Sequence, residues 1–245
     1  MSTAMAHDGL DALRVELSLH EIMRLIERTA RWVDPETFRL LPVWYPEHSR
    51  RGLFYKANWT EPQLNRNRET GVSVHKHEGN LYANRALTRA LGLRSDDRPN
   101  WSCCHIWSVD DARYASTNLI VQDPRYYSCV ANMVLLPTPL KAFTDVMPEV
   151  KAMLRRCAYH LYGWRCGHNS VATVDLEAAG QDAAYPASWP DGQRQAPPPG
   201  VVAINATIRR DAARRMARIH HDLEHAGPFY PREQVRAVLD YWAID

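Results

Sequence analysis

The sequence predicts a mixed α+β protein, mostly helical, with one small strand–strand–helix unit at its centre. Apolar residues recur at helical spacing in several stretches along the chain, which marks helices with one buried face. Between residues 101 and 136 the apolar runs are instead short, the length of strands. Residues 178–200 then change character, with five prolines among few apolar side chains, and separate this centre from two further helical patterns.

In chain order, Ser18-Leu19-His20-Glu21 has the spacing of a capping box, in which serine and glutamate satisfy the first free backbone donors of a helix. Leu19, Ile22, Met23, Ile26, Ala30 and Val33 continue it with the 3.6-residue period. Asp34-Pro35 starts a short helix to about Leu41, since proline fits the first turn and aspartate caps it. Pro42 and Pro46 break it. From Val43 to Gly79 the chain reads as an aromatic, basic loop with at most one short strand, near Val72–His75. Asn80 caps a helix over Leu81–Leu91, and Gly92 supplies the left-handed residue that ends it.

Trp101–Trp107 reads as a strand, and Thr117–Val121 and Met133–Leu136 as two more. Pro139 opens a short helix toward Thr144. Pro148 lies in the first turn of a longer one, with Val150, Met153, Leu154, Cys157 and Leu161 on one face and Gly163 at its end. The expected organisation is a main α+β domain over 1–177, a Pro-rich linker over 178–200 and a C-terminal helical hairpin over 201–245. In the hairpin, Ile208, Met216, Ile219 and Leu223 precede Gly227-Pro228, and Val235, Val238, Leu239 and Trp242 follow it. No internal repeat is present.

Composition narrows the function classes. With 245 residues, 45% of them hydrophobic, the chain can bury a large core without disulfide or metal support. A net charge of +2 and a pI of about 8.3 exclude a uniformly basic molecule. Basic surface must be local, in His48–Lys56, Asn65–Arg68, His75–His77 or Arg209–Arg218. Five cysteines with no CxxC pair fit neither a disulfide framework nor a four-cysteine zinc site. Reduced thiols, no apolar leader and no 18-residue apolar run lead us to expect a soluble cytoplasmic protein with no membrane partner.

Cys104-His105-Ile106, then Asn132-Met133-Val134-Leu135-Leu136, then the helix opened by Pro139, together resemble the HNH branch of the His-Me finger nucleases. In that family a metal-ligating residue and the general-base histidine end one strand, and an asparagine and an apolar strand follow a loop. A helix then carries a further ligand. The resemblance covers about residues 100–145 and implies a ββα-metal core, a divalent metal ion (magnesium or another) and a nucleic-acid partner, DNA first. It implies His105 as base, Cys104 at the preceding ligand position, and Asn132 as orienting or ligating residue. Such chemistry is coherent, because phosphodiester hydrolysis needs a base near pKa 6.5 and a cation for the developing charge.

The sequence also departs from the family. Lys141 stands near the place of the last histidine, where an ammonium suits a phosphate and not a metal. Cys104 stands where aspartate or histidine is usual, and thiolate is a poor ligand for magnesium. Pro137 and Leu140 replace the cysteines that often brace the fold with zinc. The interval from His105 to Asn132 is long, and Asp110, Asp111, Asp123 and Asp145 are alternative ligands. Read without the resemblance, His105 among cysteines and tryptophans is a hydrogen-bonded core residue and Asn132 is turn chemistry. Two functions follow: an HNH-like metal-dependent endonuclease, or a catalytically inactive HNH-like module that binds nucleic acid or protein.

Other signals compete with this pair. Arg50, Arg51, Lys56, Arg66, Arg68 and Lys76 alternate with Trp44, Tyr45, Phe54, Tyr55 and Trp59, a pairing that neutralises phosphates and stacks on bases. The same residues also suit a loop whose aromatics pack on the core while its charges face water. His221, Glu224 and His225 match the HxxEH pattern of inverted zinc proteases, but a solvated polar face beside the Met216, Ile219 and Leu223 seam is the better explanation. Asp123, Glu149 and Lys151 imitate a second nuclease motif, but Glu149 and Lys151 fall on the helical period of Pro148–Leu161 where that motif needs a strand. Cys103, Cys104, Cys157 and Cys166 read as buried inert thiols.

Overall fold

A computed structural model describes residues 8–108, 118–171, 176 and 183–244. The architecture is mixed α+β and dominated by helix, with three small two-stranded sheets among the described residues. Helix α1 (Gly9–Glu16) is capped by Asp8 and buries no residue, so no apolar face announces it in the sequence. Helix α2 (Leu19–Thr29) has the expected capping box: Glu21 N donates to Ser18 Oγ at 3.3 Å and Ser18 N to Glu21 Oε2 at 2.9 Å. It buries Ile22, Met23 and Ile26 but stops short of the full apolar pattern. Ala30 is its extended C-cap, and Val33 belongs to strand β1 (Trp32–Val33).

Helix α3 (Pro35–Leu40) begins at Asp34 as expected, with Glu36 N donating to Asp34 Oδ1 at 2.7 Å. The segment read as a loop holds an antiparallel ribbon, β2 (Leu64–Arg66) and β3 (Ser73–His75). Bridges from Leu53 to His77 and from Tyr55 to Pro62 root this ribbon on residues 53–55. Helix α4 (Leu81–Ala90) follows, but Asn80 makes no capping bond. Glu78 caps instead, its Oε1 accepting from Leu81 N at 2.8 Å and Tyr82 N at 3.3 Å.

At the centre, β4 (Trp101–His105) pairs antiparallel with a later strand across Trp101↔Pro137 and His105↔Met133. The expected strand at 117–121 is not one. Residues 120–122 form a 3₁₀ turn leading into α5 (Pro124–Tyr127), whose N-terminus Asp123 caps through Arg125 N at 2.9 Å; Thr117 lies outside the described residues. Strand β5 (Met133–Pro137) is the partner of β4, and Met133, Val134, Leu135 and Leu136 are all buried, so its apolar run is continuous and does not alternate. Helix α6 (Thr138–Val146) follows directly, then α7 (Pro148–Tyr162), which ends at Gly163 in the left-handed region, φ 62°.

The Pro-rich segment lies on this core over residues 183–200. Trp189 is fully buried and meets Trp32 edge-on, ring centres 5.8 Å apart. The chain then enters β6 (Val201–Val202), parallel to β1, while Arg31 bridges to Leu135 of β5. Asn205 caps α8 (Ala206–His225), and α9 (Arg232–Tyr241) completes the hairpin. Ile219, Tyr230, Val235 and Leu239 form a small second core inside it. The hairpin is also tied to the body: Arg215 of α8 forms a buried ion pair with Glu47. Among the described residues no helix is long and apolar enough to cross a membrane, and all five cysteines are free and buried.

Candidate functional site

The end of β4 and the start of β5 bring His105 and Asn132 together. Ile106 N donates to Asn132 O at 2.8 Å, and Trp107 N donates to Asn132 Oδ1 at 2.9 Å. The other end of the same amide, Nδ2, donates to Tyr126 O at 2.9 Å. His105 is buried, and its Nε2 lies 2.9 Å from Tyr127 O. Both side chains therefore fasten the β4 end to the last turn of α5. Tyr127 extends the network, its hydroxyl donating to Glu78 Oε1 at 2.6 Å and so joining the α4 cap.

Charges of both signs surround this pair, cations from α6 and α7 beside the carboxylates of Glu78 and Asp145. Cys104 is buried, and that burial pushes its thiol up to about 12, so any metal would have to displace a firmly held proton. Lys141 of α6 is ion-paired to Asp145, one turn further along the helix. From α7, Lys151 Nζ donates to Ser108 O at 2.7 Å and Arg155 Nε to Ile106 O at 3.0 Å. Asp123 is a helix cap bound by Arg125. Asp110 and Asp111 lie outside the described residues. Among the described residues no three of His, Cys, Asp and Glu gather to hold a metal ion. The Asn132 amide is already satisfied by backbone and the Cys104 thiol is held neutral, so neither is preset as a metal ligand.

The basic residues fall in another place. The β2–β3 ribbon is exposed along both strands, with Leu64, Val72 and Val74 each more than half exposed. Pairing of Arg66 with Ser73 and Leu64 with His75 puts these four on one face. At the tip, Asn67 Oδ1 accepts from Glu69 N at 2.8 Å and Thr70 N at 3.0 Å, and Gly71 adopts φ 70° to close the loop. Arg66 and Arg68 are exposed and have no carboxylate partner among the described residues. Lys76, nearer the base, lies over the Phe54 ring at 4.5 Å. Arg51 is exposed with φ 67°, Lys56 pairs with Glu61, and Arg50 is half-buried.

Aromatic residues of the same segment divide. Trp44 and Tyr45 are buried, while Tyr55 and Trp59 line a cavity of about 260 Å³ shared with α4 and α8. Tyr45, Tyr55 and Trp59 of the lining stand out in the sequence as aromatics and Arg215 as part of a basic run, whereas Glu47, Tyr82 and Asp222 carry no local signal and meet them only through the docking of α4 and α8. The HxxEH residues lie on α8, with His221 and His225 stacked on each other at 4.7 Å and the Glu224 side chain mostly exposed. They form one polar helix face. No family model, curated protein or solved structure matches the chain.

Proposed function

We propose that the chain binds nucleic acid without cleaving it, using the β2–β3 ribbon as its contacting arm and the β4–β5–α6 unit as scaffold. One observation carries this reading: the ribbon buries neither face and carries Arg66 and Arg68 with no carboxylate partner among the described residues. A two-stranded ribbon matches the width of a DNA major groove, and unpaired arginines supply phosphate contacts or bidentate pairing to guanine. His105 and Asn132 act in it as structural ties.

The test is fluorescence anisotropy of a labelled duplex at several salt concentrations, with wild type beside the double variant Arg66→Ala/Arg68→Ala. Wild type should bind with a steep salt dependence, and the variant should lose about one unit of log–log salt slope per removed phosphate contact. Equal binding by the two proteins would overturn the assignment of the arm. The same preparations, incubated with plasmid and magnesium, manganese or nickel, address the nuclease reading. Metal-dependent nicking that disappears in His105→Ala would restore His105 as a base and overturn the scaffold role given to it.

A further inference from the structure

The cavity between the 44–59 segment, α4 and α8 has the features of a built recognition site. Its floor is polar and buried: Glu47 pairs with Arg215 and accepts from Tyr230 Oη at 3.2 Å, and Arg215 lies over the Tyr45 ring at 4.6 Å. Its walls are aromatic. His48 stacks on Tyr82 with ring planes 13° apart, and Trp59 stands 5.2 Å from His48 and 5.1 Å from Tyr55.

The wall is held in place at a conformational cost. Asn58 and Trp59 are consecutive left-handed residues, φ 54° and 57°, a conformation that costs an L-residue roughly 1–2 kcal/mol each. The α8–α9 turn enforces it: Gly227 N donates to Asn58 O at 2.8 Å and Phe229 N to Trp59 O at 3.2 Å. Position 227 has no room for a side chain, since a Cβ there would fall 2.4 Å from Asn58 O. Strain maintained by a second element and presenting an aromatic ring to a cavity is characteristic of binding sites.

His48 adds hydrogen-bonding capacity. Burial, reinforced by Arg215 and Arg85, holds its imidazole down at about 3, so it is neutral and offers one donor and one acceptor. Neither ring nitrogen has a hydrogen-bonding partner among the described residues. Just beyond the lining, exposed Arg85 lies over the Tyr82 ring at 5.1 Å with no carboxylate partner among the described residues. Arg218 gives only Nε to Asp222, at 2.8 Å.

We propose that this cavity takes a single unstacked base of a nucleic-acid strand, the ring lying among Trp59, Tyr55 and His48 and its phosphate meeting Arg85 and Arg218. At about 260 Å³ the space lies just below the roughly 300–1,000 Å³ of common ligand pockets, and it suits one ring system with a short charged substituent. Base stacking on aromatics contributes about 1–3 kcal/mol, and Arg218 in the lining with Arg85 beside Tyr82 adds the charge term. The choice of ligand class rests on the nucleic-acid reading above.

Calorimetric titration of the full chain with AMP, GMP, CMP and UMP, and separately with inorganic phosphate, tests it. At least one mononucleotide should bind saturably, with phosphate alone at least about ten-fold weaker. His48→Phe keeps the ring stack on Tyr82 and removes both nitrogens, and Arg85→Gln removes an exposed charge. Each should weaken mononucleotide binding about ten-fold with an unchanged melting temperature. Absence of binding by all four mononucleotides, phosphate binding as tightly as any of them, or unaltered binding by both variants would overturn the proposal. The Arg66→Ala/Arg68→Ala protein should bind mononucleotides normally, so failure of the arm and failure of the cavity are read separately.

Discussion

Asn132 commits both ends of its amide to backbone, Oδ1 to Trp107 N and Nδ2 to Tyr126 O, in a fully buried position. Removing it leaves a buried donor and a buried acceptor unmet, each costing about 1–3 kcal/mol. Asn132→Ala should therefore lower unfolding stability by about 2–5 kcal/mol, read as a fall in the urea midpoint at unchanged m-value. An unchanged midpoint would show that the amide is not a structural tie. His48 gives a second prediction, with a sign set by its depressed pKa of about 3. Above the unfolded value near 6.5 both states are neutral and the folded state keeps its full stability. As pH falls below about 6.5 the unfolded chain takes up a proton that the folded imidazole refuses, so stability is lost down to about pH 3. Between pH 7 and 5 this amounts to about 2 kcal/mol, before most carboxylates titrate. The pH dependence of the urea midpoint should flatten by that amount in His48→Phe, and identical slopes would remove the argument for a neutral buried imidazole.

At the scale of elements, the clearest test is the junction where Pro-rich chain becomes strand. Gly200 has φ 84°, its carbonyl accepts from Trp32 N at 3.0 Å, and a Cβ would fall 2.1 Å from Ala30 O. Gly200→Ala must push β6 off β1, and a loss of about 1–3 kcal/mol in thermal or urea unfolding is expected. Elements with a buried face and a local stop signal were legible in the sequence: α2 through its capping box, α3 through Asp34-Pro35, and α7 through Pro148 and Gly163. The β2–β3 ribbon was only half legible because neither of its faces is buried, so no apolar alternation marks Leu64–Arg66. The short apolar run ending at Val121 has the length of a strand, yet Asp123-Pro124 starts a helix just after it and leaves room only for a turn. Asn80 lost its capping role to Glu78, a tertiary choice made by Tyr127, whose hydroxyl holds the same carboxylate. The candidate sites divide likewise. The closeness of His105 and Asn132 followed from chain order, but the cations Lys151 and Arg155 beside them come from α7 packing.

For the whole molecule, one apolar cluster runs from Ile22 of α2 through β4, β5 and α7 to Trp189 and Ala212 of α8. All five cysteines belong to it, and burial raises every thiol, to about 12 for Cys104 and about 11 for Cys166. Native thiolate is therefore scarce at pH 8, and reaction with a disulfide reagent must wait for opening. Cys166 reports on the C-terminal hairpin, because the neighbouring Gly167 lies under Tyr241 of α9, 3.3 Å separating its ideal Cβ from that hydroxyl. If the hairpin and the body open as one unit, all five thiols should label with a single slow rate that rises with denaturant as global unfolding does. In denaturant all five should label at once. A native-state experiment with mass-spectrometric site assignment distinguishes the alternatives. Early labelling of Cys166 ahead of Cys103, Cys104, Cys129 and Cys157 would mean that α9 lifts away by itself. In that case the Arg215–Glu47 ion pair and the Arg215 Nε bond to Trp44 O do not couple hairpin to body strongly enough for a single cooperative transition.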